Sequence, residues 1–142
     1  MDAAFWDGGE ALRTLLPDGV AWISRPEELT HRRWALLTLT ERGCAYLEEA
    51  RVACGCEVLL LPQEWSGLAL TQVRSERVVS YGLSPRDSLT LSSMGEQAVL
   101  CVQRTLLRPD GGSVEVQELP LPALDLTPGE LLAVFGTRLL LE

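Results

Sequence analysis

Trp34-Ala35-Leu36-Leu37-Thr38-Leu39, then Thr40, then Glu41–Cys54, Gly55 and Glu57-Val58-Leu59-Leu60-Leu61 is the stretch that decides the fold. Trp34–Leu39 is almost continuously apolar, the pattern of a strand covered on both faces. Thr40 stands where a helix N-cap belongs, with a hydroxyl to accept from the free N–H groups of the first turn. Behind it, Cys44, Leu47, Ala50 and Cys54 fall within one arc at helical spacing, while Arg42, Glu48 and Glu49 point elsewhere. That spacing predicts a helix over Glu41–Cys54, stopped by Gly55. Glu57–Leu61 is a second buried strand, closed by Pro62. Strand, helix and strand joined by short connections make a βαβ unit, which implies parallel pairing.

Upstream, Ala11, Leu12, Leu15 and Leu16 fit one face of a short helix over Gly9–Leu16, halted by Pro17-Asp18-Gly19. Val20–Ile23 reads as a short strand. Ser24-Arg25-Pro26-Glu27 has capping-box spacing and predicts a brief helix to Thr30. Downstream, Gln63–Ser75 carries only weak helical support from Leu68, Leu70 and Val73, and Arg77–Tyr81 is a further strand ended by Gly82. Ser88–Leu91 then alternates, Ala98–Leu107 reads as one long strand, Arg108–Gly112 is a turn, and Ser113–Leu119 runs back as a β-hairpin. Pro120 and Pro122 keep the chain extended. Thr127-Pro128-Gly129-Glu130 is a helix start with a capping box and a proline at the first helical position. That helix is expected to reach Phe135 and stop at Gly136. The expected fold is one α/β domain over 1–142: three-layer and Rossmann-like, with a mostly parallel sheet extended by an antiparallel β-hairpin. Residues 1–84 form the βαβ-type half, and 85–142 the hairpin and C-terminal helix.

Composition removes several function classes. All 12 basic residues are Arg and none is Lys, so there is no Schiff-base lysine, no pyridoxal-phosphate anchor and no Walker-A lysine. A net charge of −8 argues against nucleic acid as partner. Met1–Asp7 lacks a signal-peptide pattern, and no apolar run approaches the roughly 20 residues that span a bilayer. The expectation is a cytoplasmic chain with no membrane partner. Cys44, Cys54, Cys56 and Cys101 are then reduced thiols packed as small apolar groups, a reading preferred to a metal site because Cys54-Gly55-Cys56 lacks ligand spacing.

In an open parallel sheet, ligands bind beyond the carboxyl ends of the strands. The candidate ligand residues there are Arg25, Thr40, Arg42, Gln63, Tyr81 and Gly82. A helix N-terminus at Thr40 beside Arg42 and Arg25 suits an anion, although Glu41 competes for the same positive helix end. No Gly-x-Gly-x-x-Gly follows a strand, and Trp65-Ser66-Gly67 lacks the first glycine of a nucleophile elbow. His31 reads as a surface residue rather than a general base, and Cys101 as a buried strand residue rather than a nucleophile. Trp6, Trp22, Trp34 and Trp65 are too scattered for a stacking platform. No catalytic residue, metal ligand or cofactor is assigned.

Glu57–Ser92 resembles the closing part of the central domain of Mur ligases. There a buried strand leads through a polar turn and a helix to a strand ending in an aromatic-Gly pair, here Arg77-Val78-Val79-Ser80-Tyr81-Gly82, followed by Leu83-Ser84 and Asp87. Pro62-Gln63-Glu64 stands where that family has an Asn/Asp-rich turn that helps to hold nucleotide. The family's phosphate loop, its metal-binding Glu-His-x-Asp segment and its carbamylated lysine have no counterpart here. Tyr81-Gly82, Ser92-Ser93, Cys101-Val102-Gln103-Arg104 and Gln117-Glu118 are also similar to short, uncharacterised Mur-ligase-like proteins of Firmicutes. The resemblance implies a bacterial, Rossmann-like remnant that keeps the sheet without the ATP machinery. The expected function is a non-catalytic binding or interaction domain that self-associates as a homo-oligomer or meets a protein partner. The alternative is a small-molecule enzyme or ligand-binding domain recognising an anionic metabolite at the strand ends.

Overall fold

The computed structural model describes residues 2–142. In chain order the elements are β1 (Ala3–Trp6), β2 (Val20–Trp22), β3 (Trp34–Leu39), α1 (Glu41–Ala50), β4 (Cys54–Pro62), α2 (Leu68–Thr71), β5 (Val73–Tyr81), β6 (Leu89–Met94), β7 (Gln97–Val102), β8 (Leu106–Leu107), β9 (Ser113–Val114), β10 (Gln117–Pro120) and α3 (Pro128–Leu141). Short 3₁₀ turns cover Arg13–Leu15, Pro26–His31 and Gln63–Trp65. Eight strands form one sheet in the order β10-β7-β6-β5-β4-β3-β1-β2. The strands from β2 across to β6 are parallel to their neighbours, with Leu36 opposite Val58 and Leu59 opposite Val78. β7 turns back against β6, and β10 against β7. The α/β class and the mostly parallel sheet with an antiparallel extension are as expected from the patterning.

Alternation along the central strands sends successive leucines to opposite faces. Leu37, Leu39, Leu59 and Leu61 pack with Cys44 and Leu47 of α1, Leu68 of α2 and Leu29 of the 3₁₀ turn. Phe5, Leu36, Val58, Leu60 and Leu89 pack with Leu132, Val134 and Leu140 of α3. Helices therefore cover both faces, which is why β3 and β4 lack the polar alternation of a one-sided sheet. No helix among the described residues is long and apolar enough to cross a membrane.

Several boundaries differ from the expectations, each for a physical reason. Ala3–Trp6 is a strand that the reading of Met1–Asp7 passed over; it lies between β2 and β3. Gly9–Leu16 forms no α-helix, because a single buried apolar residue, Leu12, anchors it as a turn. The capping carboxylate before Pro26–His31 is Glu28, not Glu27; its Oε1 accepts from the backbone N–H groups of Ser24 and Arg25 at 2.8 and 2.7 Å. α1 ends at Ala50 rather than Cys54. Arg51 takes the left-handed conformation at φ 55° and donates its N–H to the Leu47 and Glu48 carbonyls. Cys54 and Gly55 belong instead to β4, opposite Val73 and Arg74, because sheet pairing there outweighs the helical spacing. The expected strand Arg77–Tyr81 likewise begins earlier, at Val73.

Ala98–Leu107 is broken at Gln103–Thr105, so its hairpin with Ser113–Leu119 splits into β7 with β10 and β8 with β9. Gln103 causes the break by turning its amide onto the Ser84 and Asp87 carbonyls, at 3.1 and 2.7 Å. Gly136 does not stop α3. A Cβ there would stand 2.9 Å from Leu89 Cδ1 and 3.0 Å from Leu60 Cδ2. The glycine lets the helix close onto β4 and β6, and that packing exceeds the roughly 1 kcal/mol helix penalty of glycine.

Candidate functional site

The order β2-β1-β3-β4-β5 means that strands are added in opposite directions on either side of the β1/β3 boundary. At such a reversal the loops leaving the two strands part, and a crevice opens at their carboxyl ends. β1 delivers Asp7 to this point and β3 delivers Thr40, followed by Glu41 and Arg42 in the first turn of α1. The N-terminus of α3 closes the other side with Thr127, Gly129 and Glu130. Together these residues line a cleft of about 260 Å³.

Asp7 is the organising side chain, and it is only 2% exposed. Its Oδ1 accepts the Thr40 hydroxyl at 2.5 Å and its Oδ2 accepts Arg42 Nη2 at 2.9 Å. Thr40 Oγ1 in turn accepts the Gly43 N–H at 3.0 Å, so one hydroxyl both caps α1 and holds the carboxylate. The hydrogen bond from Arg42, and then the charge of Asp7, hold the guanidinium above its ordinary value. Backbone shape supports the pair. A side chain at Gly9 would collide with Arg42, and one at Gly8, where φ is +87°, would run into the Tyr46 ring. Trp6 reinforces the junction by donating its indole N–H to the Gly43 carbonyl at 2.9 Å.

Of the six residues expected at the strand ends, the structure brings Thr40 and Arg42 into this cleft. Arg25 and Gln63 are exposed and do not line it. Tyr81 is turned inward: it is buried, and its hydroxyl donates to the Leu39 carbonyl at 2.8 Å. Gly82 serves the turn into β6, since a Cβ there would meet the Asp87 carboxylate at 2.5 Å. Asp87 is itself buried and accepts the Ser84 N–H at 3.0 Å. Asp7 was not among the expected residues. The signal for it was the short apolar run Ala3–Trp6 ahead of Asp7-Gly8-Gly9, a strand end followed by glycines.

The cleft lining carries one guanidinium against the carboxyl groups of Asp7, Glu41 and Glu130. Both helix N-termini already have partners. Thr40 caps α1, while Thr127 caps α3 and Glu130 Oε1 accepts the Thr127 N–H at 3.0 Å. The Gly43 and Glu130 N–H groups, the Thr40 hydroxyl and one N–H of Arg42 are thus engaged by the chain's own side chains.

Burial raises Cys44 above the normal thiol range and pushes Cys54 and Cys56 up to about 11 and about 12. Among the described residues no group of three His, Cys, Asp or Glu side chains is placed to hold a metal ion. No protein-family model matches the chain, and no curated protein or solved structure matches it either.

Proposed function

We propose that this chain is a non-catalytic binding domain on a Rossmann-like frame, a remnant of a Mur-ligase-like sheet whose nucleotide machinery is gone. The observation that carries this reading is the buried Asp7 carboxylate. It stands at the strand-order reversal, where such frames receive ligand, and takes up both Thr40 and Arg42. A carboxylate in that position takes up the hydroxyl and one N–H of the guanidinium that a phosphate would use, and Glu41 and Glu130 add repulsion against any incoming anion. Apolar side chains meanwhile remain on the surface, among them Leu70, Leu83, Met94 and Val116. Single exposed apolar groups are ordinary on a folded surface, so the reading rests on the occupied crevice and not on them.

A thermal-shift panel of adenine nucleotides, UDP-sugars and inorganic phosphate tests the reading, because a ligand that binds only the folded state raises the unfolding temperature. No shift is expected across the panel. A rise of several degrees that Arg42→Ala abolishes would overturn the proposal in favour of an anionic metabolite held at the β1/β3 crevice.

A further inference from the structure

The opposite edge of the sheet, where β4 and β5 begin, carries a groove of about 560 Å³, within the range of ligand-sized sites. Its lining includes Arg32, Arg33 and Arg74 and not one Asp or Glu. On a chain of net charge −8, three guanidiniums gather in one concavity. Two of them are paired with the exposed carboxylates of Asp2 and Glu76 outside its lining, and Arg74 with none among the described residues. Concave walls concentrate the positive field that remains.

Two of the three are held by further contacts beside their ion pairs. The Arg32 guanidinium lies 5.3 Å from the Trp34 ring centroid, and Arg33 Nη2 donates to the Cys56 carbonyl at 3.2 Å. Side chains already positioned lose less freedom when a partner arrives. Their carboxylate partners, Asp2 at 3.5 Å and Glu76 at 3.2 Å, are more than half exposed, and exposed pairs of this kind are weak enough to be exchanged. Arg74 is exposed and has no ion-pair partner among the described residues.

The spacing and the apolar wall narrow the ligand. Arg33 immediately precedes β3 and Arg74 lies in β5, with β4 between them. That separation is two strand spacings, about 10 Å. The floor at this point is Gly55, opposite Arg74, with no side chain to fill it. Leu70, 89% exposed, and Ala69 stand in the wall. Separated cations with Gly55 between them and apolar side chains in the same lining match an extended chain of alternating acidic and apolar residues better than one compact anion.

We propose that this groove binds an acidic peptide segment of a partner protein, its carboxylates on Arg32, Arg33 and Arg74 and an apolar side chain against Leu70. The inference rests on the reading of the chain as an interaction domain and names the chemistry of what it meets.

Fluorescence anisotropy on the full chain tests it, with a labelled Glu-Leu-Glu-Glu-Leu-Glu peptide and its Gln-for-Glu counterpart as probes. The acidic peptide is expected to bind saturably, and more weakly as NaCl rises from about 0.1 to about 0.5 M. Arg74→Glu is expected to weaken binding on the order of tenfold without lowering the unfolding temperature, since the exposed Arg74 side chain enters no ion pair among the described residues. Arg13→Glu, outside the groove, is expected to leave binding unchanged. Equal affinity for the Gln peptide, equal loss in Arg13→Glu, or no saturable binding would overturn the proposal. Full displacement by millimolar inorganic phosphate would overturn it too, by assigning the groove to a small anion. A nucleotide shift abolished by Arg42→Ala strikes the interaction-domain reading at the other sheet edge. Failure of the peptide with that panel silent strikes only the groove.

Discussion

Asp7 shows how one buried carboxylate sets the character of a site. The Thr40 hydroxyl and the Arg42 guanidinium converge on it from β3 and α1, while the glycines after it let Tyr46 and Arg42 approach the backbone. Asp7→Ala is expected to lower stability by about 2 kcal/mol, the scale of removing a buried charged acceptor and stranding its donors. Urea unfolding checks this, and an unchanged midpoint would mean that the carboxylate is not structural. Thr40 was legible as an N-cap because a hydroxyl before an amphipathic run has a local meaning. Its second role, holding Asp7, was not legible, because it joins residues 33 positions apart. Tyr81 illustrates the same limit. Its place at a strand end was readable, but whether the ring faces a crevice or the Leu39 carbonyl depends on which strands flank it.

At the scale of elements, β1 and α1 approach one another through backbone. Gly43 sits in the first turn of α1 so near the Trp6 carbonyl oxygen that a Cβ would overlap it. That oxygen belongs to the backbone and already accepts the Thr40 N–H at 3.3 Å, so it cannot step aside as a flexible side chain would. Gly43→Ala is therefore expected to cost at least about 2 kcal/mol despite the better helix propensity of alanine, because overpacking outweighs it. Thermal unfolding reads the outcome, and a stabilised variant would show that β1 and α1 are not locked in this way.

α3 is tied to the opposite face differently. Thr137 Oγ1 lies 2.6 Å from Thr38 Oγ1 and donates to the Ala133 carbonyl at 2.7 Å, which leaves Thr38 as the donor between the two threonines. Gly136 read as a helix stop because glycine commonly ends helices. The packing against Leu60 and Leu89 gives it the opposite use.

For the whole molecule, the enclosed thiols and Tyr81 predict an alkaline limit. Cys54 and Cys56 are pushed up from an ordinary 9.0 to about 11 and about 12, Cys44 lies higher still, and burial raises Tyr81 well above 10.0. Above pH 9 the unfolded chain releases thiol protons that the folded chain keeps, so stability falls as pH rises; below pH 9 this contribution is fully present. The urea midpoint in reductant is expected to hold between about pH 7 and 8.5 and to fall by about pH 10.5. Cys44→Ala/Cys56→Ala is expected to flatten that fall, and a wild-type midpoint unchanged to pH 10.5 would contradict it. The sequence by itself determined the α/β class, the parallel β3–α1–β4 unit, the N-caps of α1 and α3, and the exclusion of lysine chemistry. Each follows from local periodicity, capping chemistry or composition, which need only neighbours along the chain. Only the tertiary structure decided that β1 lies between β2 and β3, that Asp7 occupies the crevice there, and that Arg32, Arg33 and Arg74 meet at the far edge. Those facts depend on strand order, and strand order follows from how both faces of the sheet are buried at once.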